Sequence, residues 1–217
     1  MALFKKKAPQ VQEPMDLEAV MKKYDRESNT RIWEGAPKWA VTGILAAFSL
    51  FCLYVTLFAT WLEEWRLSSF VAGIVFLGYL VFPARKGQQK INSLPWYDII
   101  LMVLGTGAFL YFTFNAMNII QQGSRFEPHQ IVIGVVGILS LAEVCRRSVG
   151  LPILLVAGFF VAYALFFGLA NPSFWGKINY TVRYLFYSKE GIFSTPVNVC
   201  SKFIVVFIIF GAFLERT

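Results

Sequence analysis

Histidine occurs once, at His129, cysteine three times, and charged residues make up only 15% of the 217. A lone histidine builds no metal centre by itself, and Cys52, Cys145 and Cys200 show neither a CxxC spacing nor a nearby histidine pair. Odd in number and set in or beside apolar runs, the three thiols read as small buried hydrophobes ahead of disulfides or metal ligands. Enzyme templates are missing as well: there is no GxSxG, no HExxH, no dinucleotide GxGxxG and no phosphate loop with its lysine, so the chain carries no ATP motor. Lys5, Lys6 and Lys7 lead into Ala-Pro-Gln-Val-Gln-Glu-Pro instead of an apolar core. That excludes a cleavable signal peptide and leaves targeting to the first membrane span. No low-complexity tract or internal repeat is present.

Apolar residues are what the chain has in excess. They make up 57% of it, with 17% aromatic, and the mean hydropathy is +0.57. Residues 40–60 contain no charged side chain, and about 20 apolar residues suffice to cross a hydrocarbon core about 30 Å thick. The sequence therefore predicts an all-α membrane protein with about six transmembrane helices. The first is 40–60, flanked by Trp39 and Trp61, and the second is 67–83, closed by Pro83 and the charges after it. The third opens at Trp96, Tyr97 and Asp98 and is uncharged over 99–124. The fourth and fifth share 130–169 as a helical hairpin, interrupted by Glu143, Arg146 and Arg147 and punctuated by Gly150 and Pro152. The sixth covers 196–214, with Lys202 inside it.

The net charge of +7 is distributed between spans rather than gathered on one face, which argues against nucleic acid as a partner. With the amino terminus inside, the cytoplasmic side collects Lys22, Lys23, Arg26, Arg31, Lys38, Arg85, Lys86, Lys90, Arg146, Arg147 and Arg216. The other side holds Arg66, Arg125, Lys177, Arg183 and Lys189. That excess predicts both termini in the cytoplasm. Two segments are expected along the membrane surface. Residues 14–24 place Leu17, Val20, Met21 and Tyr24 on one helical face. Residues 171–191 mix Trp175, Tyr180, Tyr184, Phe186 and Tyr187 with Lys177, Arg183 and Lys189.

Ionisable groups at membrane depth cost about 2.5–3.5 kcal/mol each on insertion scales, so each calls for a partner or a task. Glu143 and Arg147 are spaced for a helical ion pair with Arg146 beside them, near a helix end that favours cations. The primary reading is a structural clasp at the cytoplasmic boundary; the competing one makes Glu143 a carrier of a coupling proton. Lys202 lies shallow enough to snorkel or to meet an acid outside this chain. Asp98 is expected to cap the third helix, and His129 to sit in a wet loop. Asn179 opens a three-residue glycosylation sequon, a short pattern that matters only in a secretory pathway.

Five pieces of the chain, in order, are Tyr-Asp-Arg-Glu-Ser-Asn-Thr-Arg (24–31), Pro-Trp-Tyr-Asp-Ile-Ile-Leu (95–101), Glu-Val-Cys-Arg-Arg-Ser-Val-Gly-Leu-Pro (143–152), Lys-Glu-Gly-Ile-Phe (189–193) and Phe-Gly-Ala-Phe-Leu-Glu (210–215). Together they resemble the membrane permease of TRAP (tripartite ATP-independent periplasmic) transporters, in the type whose small and large membrane subunits are fused and work with a TAXI-type binding protein. The resemblance implies three regions: a cytoplasmic amphipathic segment over 1–38, small-subunit-like scaffold helices over 39–129, and the start of the large-subunit-like region over 130–217. It departs from the family at Val205, Val206 and Phe207, where a mid-helix proline is usual. Family members also continue for many further helices, so the chain is expected to be a truncated fusion or the first piece of a split one.

The resemblance implies uptake of small organic acids across the inner membrane. The implied partners are a periplasmic substrate-binding protein and the remaining transport helices of the large subunit, in addition to the lipid bilayer. A sodium ion or proton would be the coupling ion, its site lying outside this chain, and no cofactor is implied. Alone, the polypeptide is expected to transport nothing, and its substrate-binding residues are unknown. Trp175, Tyr180, Arg183, Tyr184 and Lys202 are candidates for plain interfacial anchoring, with docking of the binding protein as the competing reading. Two other classes compete: a small structural or assembly membrane protein, and an enzyme acting on lipid-linked substrates through Glu143, Arg146 and Arg147.

Overall fold

Surrounded by lipid, a backbone can satisfy its amides only inside helices or a closed barrel. The computed structural model describes residues 30–31, 33–84, 92, 94–122, 127–167 and 173–215, and among these every regular element is helical. Five helices are long and apolar enough to cross a bilayer: α1 (Ala36–Leu57), α2 (Glu63–Val81), α3 (Trp96–Gln122), α4 (Pro128–Ser148) and α7 (Thr195–Glu215). Between α4 and α7 come the shorter apolar α5 (Leu151–Phe167) and the helix α6 (Phe174–Val182), which runs on into one π-helical turn, Arg183–Tyr187. A second π-helical turn, Cys200–Ile204, interrupts α7. The described residues are thus all-helical, and their five long apolar helices are compatible with a multi-pass membrane protein. The surface helix expected at 14–24 and the cations Lys22, Lys23, Arg26, Arg85, Lys86, Lys90, Arg125 and Arg216 lie outside the described residues.

Local chemistry sets the boundaries. The second span was expected from residue 67, but α2 starts at Glu63 and draws Glu63, Glu64 and Arg66 into the helix. Acids in a first turn meet the positive end of the helix dipole, so charges that end an apolar run need not end a helix. α4 opens with Pro128 behind a capping box in which Glu127 and Gln130 satisfy each other's backbone amides. It stops at Gly150, whose φ of 107° is a conformation that costs glycine little.

α5 differs from the expected half of a hairpin. Its 17 residues include none that is buried, and they rise about 25 Å, short of a full core thickness. A helix apolar all round has no preferred face to turn towards α4, and lipid solvates every side of it equally well.

The packed heart is formed by α2, α3 and α4. Val75, Tyr79, Phe109 and Phe112 are fully enclosed there. Small residues let the backbones close up: a Cβ on Gly105 would overlap Ser140, and one on Gly78 would press on Val144. Helices in lipid associate through such close packing, since no hydrophobic drive separates one apolar surface from another.

The segment 171–191, expected to lie on the interface, sends part of itself into this core. Val182 and Phe186 are buried and occupy the space that Gly134 and Gly137 leave open on one side of α4. Phe186 meets Phe109 at 5.1 Å between ring centroids, and Phe193 stacks on Phe112 at 5.2 Å. Trp175, Tyr180 and Tyr184 keep the expected interfacial character and are exposed.

Candidate functional site

Where α2 ends, α3 begins and α4 ends, the side chains of Arg31, Asp98, Glu143, Arg146 and Arg147 form one ion network. Arg31 belongs to the segment before α1, and its backbone amide donates to the Val81 carbonyl at 2.9 Å, which holds that segment against the end of α2. Its guanidinium donates to Asp98 Oδ2. Asp98 stands in the first turn of α3, and its other oxygen accepts from Arg147 Nη2 at 2.8 Å. Arg147 Nε also donates to Glu143 Oε1 at 2.8 Å, and Arg146 clasps both oxygens of Glu143 at 2.7 Å each.

Burial decides what this network is worth. The Asp98 side chain is 0% exposed and that of Arg147 1%, whereas Glu143 and Arg146 sit at the rim, at 26% and 36%. Two charges taken out of water lose several kcal/mol each, and only saturated hydrogen bonding returns it. Arg147 comes close to saturation: besides the two acids it approaches the Phe82 carbonyl at 3.5 Å, and its guanidinium lies 4.8 Å from the Tyr79 ring centroid. Tyr79 is fixed in turn by its hydroxyl, 3.1 Å from the carbonyl oxygen and Oγ of Ser140. Among the described residues three bases share two acids in the network.

The sequence placed Glu143, Arg146 and Arg147 side by side, and the structure brings them together. It also corrects the reading of Asp98: both carboxylate oxygens are engaged by guanidiniums, so the expected helix cap is a buried counter-ion instead. Asp98 and Arg31 were missed as members because they lie 49 and 67 positions from their partners. The available signal was topological, since the ends of α2 and α4 and the start of α3 fall on one side of the bundle.

A second clasp closes the opposite end. Lys189 donates to Glu64 at 2.7 Å, and Asn198 bridges Glu63 and Arg66, accepting from Arg66 Nη2 at 2.8 Å. Its hydrogen bond with Glu64 raises the pKa of Lys189 above the ordinary lysine value, and Glu64 and Glu63 charge adds to the effect. This clasp ties the linker after α6 and the first turn of α7 to the start of α2. Nearby, burial raises the Tyr187 phenol well above its usual range, and its hydroxyl donates to the Gln130 carbonyl at 2.6 Å.

The remaining candidates are dispersed. Trp175, Tyr180 and Tyr184 are exposed, the two tyrosines stacked at 6.3 Å, and Arg183 is half-buried. Lys202 stands apart on the π-helical turn of α7, half-buried, with no ion pair among the described residues. His129 lies in the first turn of α4 rather than in a loop, 3.1 Å from both Glu127 and the Tyr111 hydroxyl. The three cysteines are free; Cys52 is buried and the other two are half-buried. Among the described residues no group of three or more potential ligands is arranged to hold a metal ion. None of the family models, curated proteins or solved structures with which the chain was compared matches it.

Proposed function

We propose that this chain is the scaffold portion of a TRAP-type secondary transporter for small organic acids. In this reading it sits in the inner membrane, works with a periplasmic binding protein and an ion gradient, and is inactive without the transport helices. The observation that carries the reading is the convergence of pieces chosen from the sequence alone. Arg31 closes the first of them, Asp98 lies in the second, and Glu143, Arg146 and Arg147 lie in the third, and all five side chains meet in one ion network with Asp98 and Arg147 at its buried centre. The fourth piece supplies Lys189 to the opposite clasp and Phe193 to the aromatic core. Residues that matter for holding a framework together are expected to cluster in this way.

The same geometry supports inactivity alone. An arginine that binds an organic acid must be free to do so, and here the guanidiniums of Arg146 and Arg147 are already engaged by carboxylates. The departure at Val205, Val206 and Phe207 remains, since these residues are regular α-helix, and the irregularity of α7 is the π-helical turn Cys200–Ile204 just before them.

Six crossings with both termini in the cytoplasm suit this arrangement. α5 starts beside the Arg147 end of α4, and its Phe166 carbonyl accepts from Lys177 of α6, whose Val182 and Phe186 pack towards the start of α4. The short helix therefore points from the Arg147 end of α4 back towards its start, the direction that a sixth crossing requires. In this reading the Arg31–Asp98–Arg147 network faces the cytoplasm, and Lys189 with the exposed Trp175, Tyr180 and Tyr184 and the half-buried Arg183 and Lys202 faces the periplasm, as candidates for contact with a binding protein.

Proteoliposomes test the reading directly. Gradient-driven uptake of a labelled organic acid is expected only when the chain is reconstituted together with a large-subunit transport region and its binding protein. Uptake by the chain alone overturns it. Failure of the chain to co-purify with the transport region would favour the structural or assembly alternative, to which the two clasps give independent support.

A further inference from the structure

α1 meets the core over little of its surface. Only Val41, Cys52 and Val55 are buried along its 22 residues, against nine residues along the 19 of α2. It leans on α2 through Phe48, whose ring fills the place of the side chain Gly73 lacks. Beside that contact α1, α2 and α3 enclose an open groove of about 730 Å³. Phe48, Phe51, Leu110 and Phe114 form its walls, and Trp61 and Trp65 stand where α2 begins. Its hydroxyls are mostly turned inward: Ser69 donates to the Trp65 carbonyl at 2.6 Å and Thr113 to the Phe109 carbonyl at 3.0 Å. Thr106 is the exception, with no hydrogen-bond partner among the described residues.

We propose that this groove binds one acyl chain of a zwitterionic phospholipid, with the headgroup at Trp61 and Trp65. Three observations select that occupant. A helix 10–12 Å across displaces roughly 400–600 Å³ per turn, so the groove takes less than two turns of a partner helix, whereas its volume is ordinary for a small-molecule site. The lining is aromatic and aliphatic, which suits a flexible hydrocarbon, and indole rings prefer the depth of lipid headgroups. Charge completes the choice. Beside the two tryptophans Glu63 and Glu64 are matched by Arg66 and Lys189, so these four groups sum to no charge and a zwitterion meets a locally neutral rim. The inference needs only that the helices span a membrane, and it holds or fails apart from the transport reading.

The test uses the whole chain reconstituted into vesicles of equal phosphatidylethanolamine and phosphatidylglycerol, extracted in mild detergent and weighed by native mass spectrometry. One retained phosphatidylethanolamine per chain is expected. Ser69→Trp and Leu110→Trp fill the groove and should lower retention at least tenfold, whereas Ala157→Trp, on the exposed surface of α5, should leave it unchanged. No retained lipid, equal retention in the filled variants, preference for phosphatidylglycerol, or a dimer that the filled variants dissociate would each overturn the proposal. Should the filled variants fail to fold, fluorescence quenching by lipid brominated on its acyl chains decides the matter. Quenching at Trp61 and Trp65, resolved by comparison with Trp61→Phe and Trp65→Phe, must exceed that of the exposed Trp175, and equal quenching contradicts a bound chain.

Discussion

Asp98 is the residue on which the network turns, because it joins Arg31 of the amino-terminal segment to Arg147 of α4 through two guanidiniums. Removing one partner of a buried ion pair strands the other charges, a loss of about 3–5 kcal/mol, whereas replacing the pair with apolar side chains is far milder. Asp98→Ala is accordingly expected to destabilise the protein by about that amount in mixed-micelle unfolding. The Asp98→Leu, Arg147→Met double variant should lose clearly less than the sum of its single changes. Additive losses would show that the two side chains act independently. At this scale the sequence was legible only locally: the spacing of Glu143 and Arg147 announces a pair within a single helix turn, but nothing in the neighbourhood of Asp98 says which distant cation will reach it. Burial, which converts a capping residue into a counter-ion, is a property of the assembled helices.

Helices were the most legible level, because an apolar run long enough to span lipid has few other ways to satisfy its backbone. Their ends were less so. The start of α2 was set too late by treating Glu63, Glu64 and Arg66 as terminators, when the helix dipole accommodates acids in a first turn. The π-helical turn of α6 was invisible for a different reason: Tyr184, Phe186 and Tyr187 look alike as interfacial aromatics, yet only Phe186 finds the gap left by Gly134 and Gly137. Two glycines three positions apart on α4 were the available hint. Gly137→Leu is expected to expel Phe186 and cost about 1–3 kcal/mol, as overpacking does. Gly107→Ala in α3, where an added Cβ meets nothing, should be neutral or stabilising by up to about 1 kcal/mol. Thermal unfolding of the two variants in the same detergent compares them, and equal midpoints would contradict the packing of α6 on α4.

Across the whole molecule, a tightly packed slab of α2, α3 and α4 is clasped at both ends by charge, while α1, α5 and α7 keep most of their surface uncovered. Such a division suits a framework whose rigid part is finished and whose outer helices remain in contact with lipid or with other helices. It also makes orientation the claim on which the functional reading depends, since the two clasps must face different compartments. Single cysteines placed at Glu34, Glu190 and Glu215, with Cys52, Cys145 and Cys200 replaced by serine, report it through a membrane-impermeant maleimide applied to intact spheroplasts. Glu190→Cys is expected to react from outside, and Glu34→Cys and Glu215→Cys only after the membrane is opened. Labelling of all three from the same side, or of Glu34→Cys and Glu215→Cys from opposite sides, would contradict a bundle that begins and ends in the cytoplasm.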